Sequence, residues 1–192
     1  AFRRHLIALQ RALAASTALC TDLDRFLRVR RWMHLAGGAL TAIHLAVALT
    51  PLYGLVTRDL LALPEPVAEA GRAGLVIMTP WTWTIAYRRF HQGVLIRAGH
   101  SRTVGVGTAI RATTVLVVLQ LGLHTATWTG LPGVVVGATA IAIAVTVEAL
   151  FIGWIVRPVV AEHLRPASPA DLPLTLRAFL AFYLPLALTP FL

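Results

Sequence analysis

Four ionisable residues stand where a chain this apolar has least use for charge. Arg88 and Arg89 fall in the apolar stretch 73–96, Arg111 in 103–128 and Glu148 in 131–156. Each ionised group at membrane depth costs about 2.5–3.5 kcal/mol on insertion scales, so such groups turn toward a bundle interior or a water-filled cavity. Arg88 precedes Arg97 by nine residues, Arg111 follows Arg102 by nine, and Glu148 precedes Arg157 by nine. At about 1.5 Å per residue, each lies roughly 13 Å in from one side. Set in one layer, the arginines give a polar chamber a positive field, with Glu148 as counter-ion or proton carrier. Two plainer readings stand beside this one. Arg111 and Glu148 form a buried pair that fixes helix packing, or Arg88 or Arg89 snorkels to the surface. Neighbours on a helix point about 100° apart, so one of Arg88 and Arg89 faces elsewhere. Which one is open.

His91 sits one turn from Arg88 and, with Gln92, is a candidate for the same substrate-binding chamber. His44, alone in the first apolar run, reads as a packed, hydrogen-bonded histidine, and His124 as interfacial. No two of these histidines stand at i, i+4 beside a carboxylate, so no metal site is expected. Gly133, Gly137, Ala144 and Glu148 share one helical stripe, and Gly107, Thr108 and Arg111 share a face. Small residues let helices approach closely, so Gly107, Gly133 and Gly137 are candidate packing positions and Glu148 faces protein. Pro80 removes a backbone hydrogen bond, leaving Thr79, Thr82 and Thr84 to satisfy the freed carbonyls. The bend there is either a moving joint or a static kink.

These residues need helices that cross lipid. The 192 residues are 57% hydrophobic and 13% charged, against about 25% charged in soluble domains. That balance excludes a soluble domain and a disordered chain, and Cys20 as the only cysteine excludes a disulfide scaffold. An apolar run of about 20 residues spans a bilayer. The expected architecture is an all-α integral membrane helix bundle with spans at about 35–56, 73–96, 103–128 and 131–156. Residues 176–192 read as the start of a fifth. Residues 1–31, with Leu6, Leu9, Leu13, Leu23 and Phe26 at helical spacing, read as an interfacial amphipathic helix or a linker helix. Residues 158–175, broken by Pro166, Pro169 and Pro173, read as a linker between two bundles.

Net charge is +9, carried by arginine without lysine. Twelve arginines fall in residues 1–31, at Arg97 and Arg102, and at Arg157, Arg165 and Arg177; the opposite loops hold Arg58 and Arg72, diluted by acids. The arginine-rich side is therefore expected in the cytoplasm, with Gly130 outside. Arginines spaced as topology determinants, without interleaved stacking aromatics, argue against nucleic acid as partner. With neither an initiator Met nor a cleavable signal, and with an apolar run at its end, the chain reads as a piece of a longer protein.

Arg88-Arg89-Phe90-His91-Gln92-Gly93-Val94-Leu95-Ile96-Arg97, then Gly105-Val106-Gly107-Thr108 with Arg111, and Gly130-Leu131-Pro132-Gly133-Val134-Val135-Val136-Gly137 with Glu148 resemble the progressive ankylosis proteins and their bacterial relatives. These belong to the multidrug and toxin extrusion (MATE-like) superfamily, which also holds lipid-linked oligosaccharide flippases. The resemblance spans about residues 35–192 and is best across the second to fourth spans. It implies two six-helix lobes working by alternating access in the inner membrane. This chain would hold the third to sixth helices of one lobe and part of the seventh, with the remainder of its own chain as partner. It implies an exporter of an organic solute, with the arginines favouring an anion, coupled to H+ or Na+ and needing no cofactor.

Two other classes compete with an exporter. An integral-membrane transferase needs an acid or metal cluster near the interface, and the nearest pair, Asp22 and Asp24, reads more simply as a helix start. A structural subunit has no reason to keep a buried arginine and acid layer.

Overall fold

The computed structural model describes residues 17–166 and 174–181. Within them every regular element is helical: α1 (Leu23–Leu49), α2 (Glu65–Ile77), α3 (Thr79–Arg97), α4 (Ser101–Thr129) and α5 (Gly133–His163). A helical turn at Leu52–Gly54 and a π-helical turn at Leu55–Leu60 lie between α1 and α2. Three helices, α1, α4 and α5, are long and apolar enough to cross a membrane.

Local chemistry sets the helix ends. Asp22 caps α1: its Oδ1 accepts from the Arg25 backbone N–H at 2.8 Å, and Arg25 Nε lies 3.2 Å from Oδ2. This helix start runs without a break into the first expected span, so residues 23–31 and 35–49 share one helix. The expected bounds 35–56 also move at the other end, because Pro51 disfavours helical backbone at Thr50. Residues 1–16 of the expected amphipathic helix lie outside the described residues.

The second expected span, 73–96, is two helices divided at Met78 (φ −77°, ψ 2°). Pro80 accordingly sits in the first turn of α3, where its missing N–H costs little, and not within a bent helix. It cannot donate to the Val76 carbonyl four residues back; Thr79 Oγ1 does so instead, at 2.7 Å. His44 Nε2–H donates to Leu75 O at 2.7 Å beside the same break. His44 is thus a packed, hydrogen-bonded side chain.

Gly99 (φ +81°) closes α3 with a paired motif: His100 N–H donates to Leu95 O at 2.8 Å and Gly99 N–H to Ile96 O at 3.0 Å. Gly130 (φ +67°) ends α4 before the expected tight turn. α5, the fourth expected span, outruns its expected end, passing through Pro158 to His163, so the stretch 158–163 is helical before any linker begins. Leu176–Ala181 is helical, and the rest of the expected fifth span lies outside the described residues.

The chain divides into two compact units, each described here by itself: the described parts of 1–35, 86–106 and 150–192, and residues 36–85 with 107–149. The first unit is cored by Cys20, Phe26, Phe90, Leu95, Ile152 and Val156, among others. On α5, positions 138, 142, 145, 149, 152, 156 and 159 are buried, alternating steps of four and three. Ile143, Val147, Leu150 and Trp154 on its other side are exposed.

In the second unit the close approaches fall at glycines other than those expected. A Cβ at Gly122 would lie 2.6 Å from Val136 Cγ1, and one at Gly74 would lie 3.0 Å from Val134 Cγ2. A Cβ at Gly133 or Gly137 would meet no atom within 4 Å. Neither glycine therefore marks a close approach among the described residues, and the stripe is buried further along, at Ala144 and Glu148. Gly107 is buried.

Candidate functional site

In the second unit, α4 and α5 bring Arg111 and Glu148 together, Nε 3.0 Å from Oε2. Glu148 has no exposed surface, while the Arg111 side chain is 41% exposed. A buried carboxylate requires such a partner, because leaving water uncompensated costs several kcal/mol. Glu148 faces protein, as its stripe with Ala144 requires.

In the first unit, α3 carries the other expected residues. Arg88 is buried and Arg89 half-buried, so Arg88 is the inward member of the pair. Arg89 Nη1 reaches Gln92 Oε1 at 3.5 Å, and Gln92 is itself buried. His91 is buried too; its Nδ1–H donates to the Tyr87 carbonyl at 2.8 Å. Its ring lies 4.2 Å from the Tyr87 ring and 4.9 Å from that of Phe90.

Sequence reasoning missed the surroundings of His91. A cavity of about 330 Å³ in the first unit is lined by His91 and Tyr87, by Arg30 and His34 of α1, and by Arg157 of α5. Arg30 stands over the Phe26 ring, 5.4 Å from its centroid. The signal was there: Arg30 and His34, Tyr87 and His91, and Gly153 and Arg157 are each spaced i, i+4, so each pair shares one face of its helix. What the sequence lacked was the packing that turns three such faces inward.

Asp22 and Asp24, the acids nearest an interface, are engaged. Asp22 caps α1 and Asp24 Oδ2 accepts from Arg28 Nε at 2.8 Å. Compared with known proteins, the chain matches no family, no curated protein and no solved structure.

Proposed function

We propose that the chain is part of a secondary transporter that exports an organic anion across the inner membrane by alternating access. The observation that carries this reading is buried charge in each of the two units of a chain with three helices long and apolar enough to cross a membrane. Glu148 is fully buried against Arg111, and Arg88, His91 and Gln92 are buried on α3. Ionisable groups at membrane depth mark substrate, ion or proton pathways by default.

In this reading α2 and α3 together make the further span, residues 176–192 open a fifth, and the arginine-rich loops face the cytoplasm. Glu148 is the candidate for coupling to H+ or Na+, and a longer chain supplies the rest of two lobes. The likeness of residues 88–97, 105–111 and 130–148 to MATE-like exporters supports the same view. That superfamily also offers the second reading, a flippase for a lipid-linked oligosaccharide. The engagement of Asp22 and Asp24 weighs against an embedded transferase.

The test is efflux from vesicles holding the full-length protein, loaded with labelled citrate or pyrophosphate. A hydrogen bond to a charged group contributes about 1.5–3 kcal/mol, so Arg88→Gln should slow anion efflux by about tenfold or more. Arg88→Lys should recover part of it by restoring the charge without the planar fork. Unchanged efflux after Arg88→Gln and Arg89→Gln together would remove the anion reading and favour the flippase.

A further inference from the structure

Three helices contribute residues at i, i+4 spacing to the wall of the cavity around His91. α1 gives Arg30 and His34, α3 gives Tyr87 and His91, and α5 gives Gly153 and Arg157. The wall carries two guanidinium groups, two imidazoles and a phenol, with no carboxylate among them. Among the described residues no ion pair takes up Arg30 or Arg157. Two cations on one cavity wall repel each other, and a bound anion relieves that repulsion.

The wall is also organised before any ligand arrives. The Arg30 guanidinium is held over Phe26, which restricts its rotamers. His91 is fixed by the hydrogen bond from Nδ1–H to the Tyr87 carbonyl and by its tilted contact with the Tyr87 ring. Tyr87 is seated against α5 where only glycine allows it, since a Cβ at Gly153 would collide with the phenol oxygen. Side chains locked in this way lose little entropy on binding.

The donor set narrows the anion. A guanidinium fork pairs with carboxylate or phosphate in bidentate fashion. Two guanidinium groups offer more N–H donors than the two oxygens of one carboxylate can accept, whereas a phosphate group presents acceptors on several sides. A volume of about 330 Å³ is at the small end for ligand sites, enough for a headgroup or a small phosphate compound. We propose that this cavity is a phosphate-group site, occupied by free phosphate or by the phosphate of an anionic phospholipid headgroup. The proposal goes beyond the transport reading, because it concerns binding alone and requires no flux.

The experiment measures equilibrium binding to the full-length protein, with labelled orthophosphate in one arm and phosphatidylglycerol in nanodiscs, against phosphatidylcholine, in the other. Saturable orthophosphate binding assigns the soluble source; preferential phosphatidylglycerol binding assigns the lipid. In either arm, Arg157→Gln and Arg30→Gln should each weaken binding about tenfold or more, the effect of losing one charge-assisted contact. Arg157 is exposed and in no ion pair among the described residues, so its variant keeps the test clear of folding losses. Arg31→Gln, next to Arg30 but off the cavity wall, should leave binding unchanged. Absence of binding in both arms, insensitivity to Arg157→Gln, or equal weakening by Arg31→Gln would overturn the proposal. Efflux that persists without the binding would leave the transport reading intact.

Discussion

Glu148 and Arg111 make an asymmetric ion pair, 3.0 Å apart, with the carboxylate wholly buried and the arginine side chain 41% exposed. The asymmetry predicts unequal costs for breaking it. Arg111→Leu removes the ion-pair partner of a wholly buried carboxylate, at roughly 3–5 kcal/mol. Glu148→Leu leaves an arginine whose long stem can carry its charge toward water, so the loss should be smaller. The double Leu variant should recover most of the stability. Thermal unfolding in detergent, followed by size-exclusion chromatography, checks all three, and purely additive losses would show that the pair is not coupled.

The glycines of the second unit predict a second contrast. Gly122→Ala drives a methyl to 2.6 Å from Val136 Cγ1, and β-branched valine has almost no alternative rotamer in a helix. Overpacking of this kind costs about 1–3 kcal/mol. Adding Val136→Ala should relieve the clash. Gly137→Ala meets open space, so it should be neutral or gain up to about 1 kcal/mol in helix propensity. A larger loss at Gly137 than at Gly122 would refute this placement.

Much of this architecture was legible because it rests on local chemistry. Gly99 and Gly130 take positive φ, Asp22 offers a capping carboxylate, and Thr79 stands one residue before the proline whose lost bond it replaces. The pairing of Arg111 with Glu148 was legible as an alternative, since a buried acid needs a cation and the two lie equally deep. Hydropathy misplaced the ends of α1 and α5, because backbone hydrogen bonds continue past the apolar stretch as far as Asp22 and His163. Nor does a small residue announce what it faces: Gly133 and Gly137 look like packing positions, yet Gly71, Gly74, Gly122 and Gly153 are in close contact. The basic cavity was illegible for the same reason, since its residues at i, i+4 spacing meet only after three helices have packed.

Arg72 predicts a cap at long range. Its Nε donates to Ala48 O at 2.8 Å and its Nη2 to Thr50 O at 3.2 Å, at the C-terminal end of α1. A cation there satisfies unpaired carbonyls and the helix dipole, contributing about 0.3–1 kcal/mol at an exposed position. Arg72→Gln should lower stability by that amount, more at low salt than at high. A loss independent of salt would point to packing over the Tyr53 ring instead.

Cys20 predicts chemical silence. It is fully buried before the first span, and burial pushes its thiol from 9.0 up to about 12. The thiolate is the reactive form, so at pH 8 folded protein should resist maleimide while unfolded protein reacts. The folded-state value lies above the unfolded one, so this contribution to stability is complete below about pH 9 and is lost as pH rises toward 12. Rapid labelling of folded protein at pH 8 would contradict the burial.

A Cys20→Ala background then allows single cysteines to test how the chain crosses the membrane. Ser101 opens α4 and Leu131 lies just beyond its end; its 29 residues extend about 43 Å at 1.5 Å each, longer than a hydrocarbon core of about 30 Å. Gly130 is a poor site for the probe because its φ of +67° strains any side chain, whereas Leu131 is exposed and next to it. Arg97 and Arg102 flank the turn at one end, and the turn at the other end carries no charge. The arginine bias therefore puts Ser101 in the cytoplasm and Leu131 outside. An impermeant maleimide added to intact cells should modify Leu131→Cys at once and Ser101→Cys only after permeabilisation. The reverse pattern would invert the orientation and move the buried charges to the outer half. Labelling of both from outside would mean that α4 does not cross, and the transport reading would fall with it.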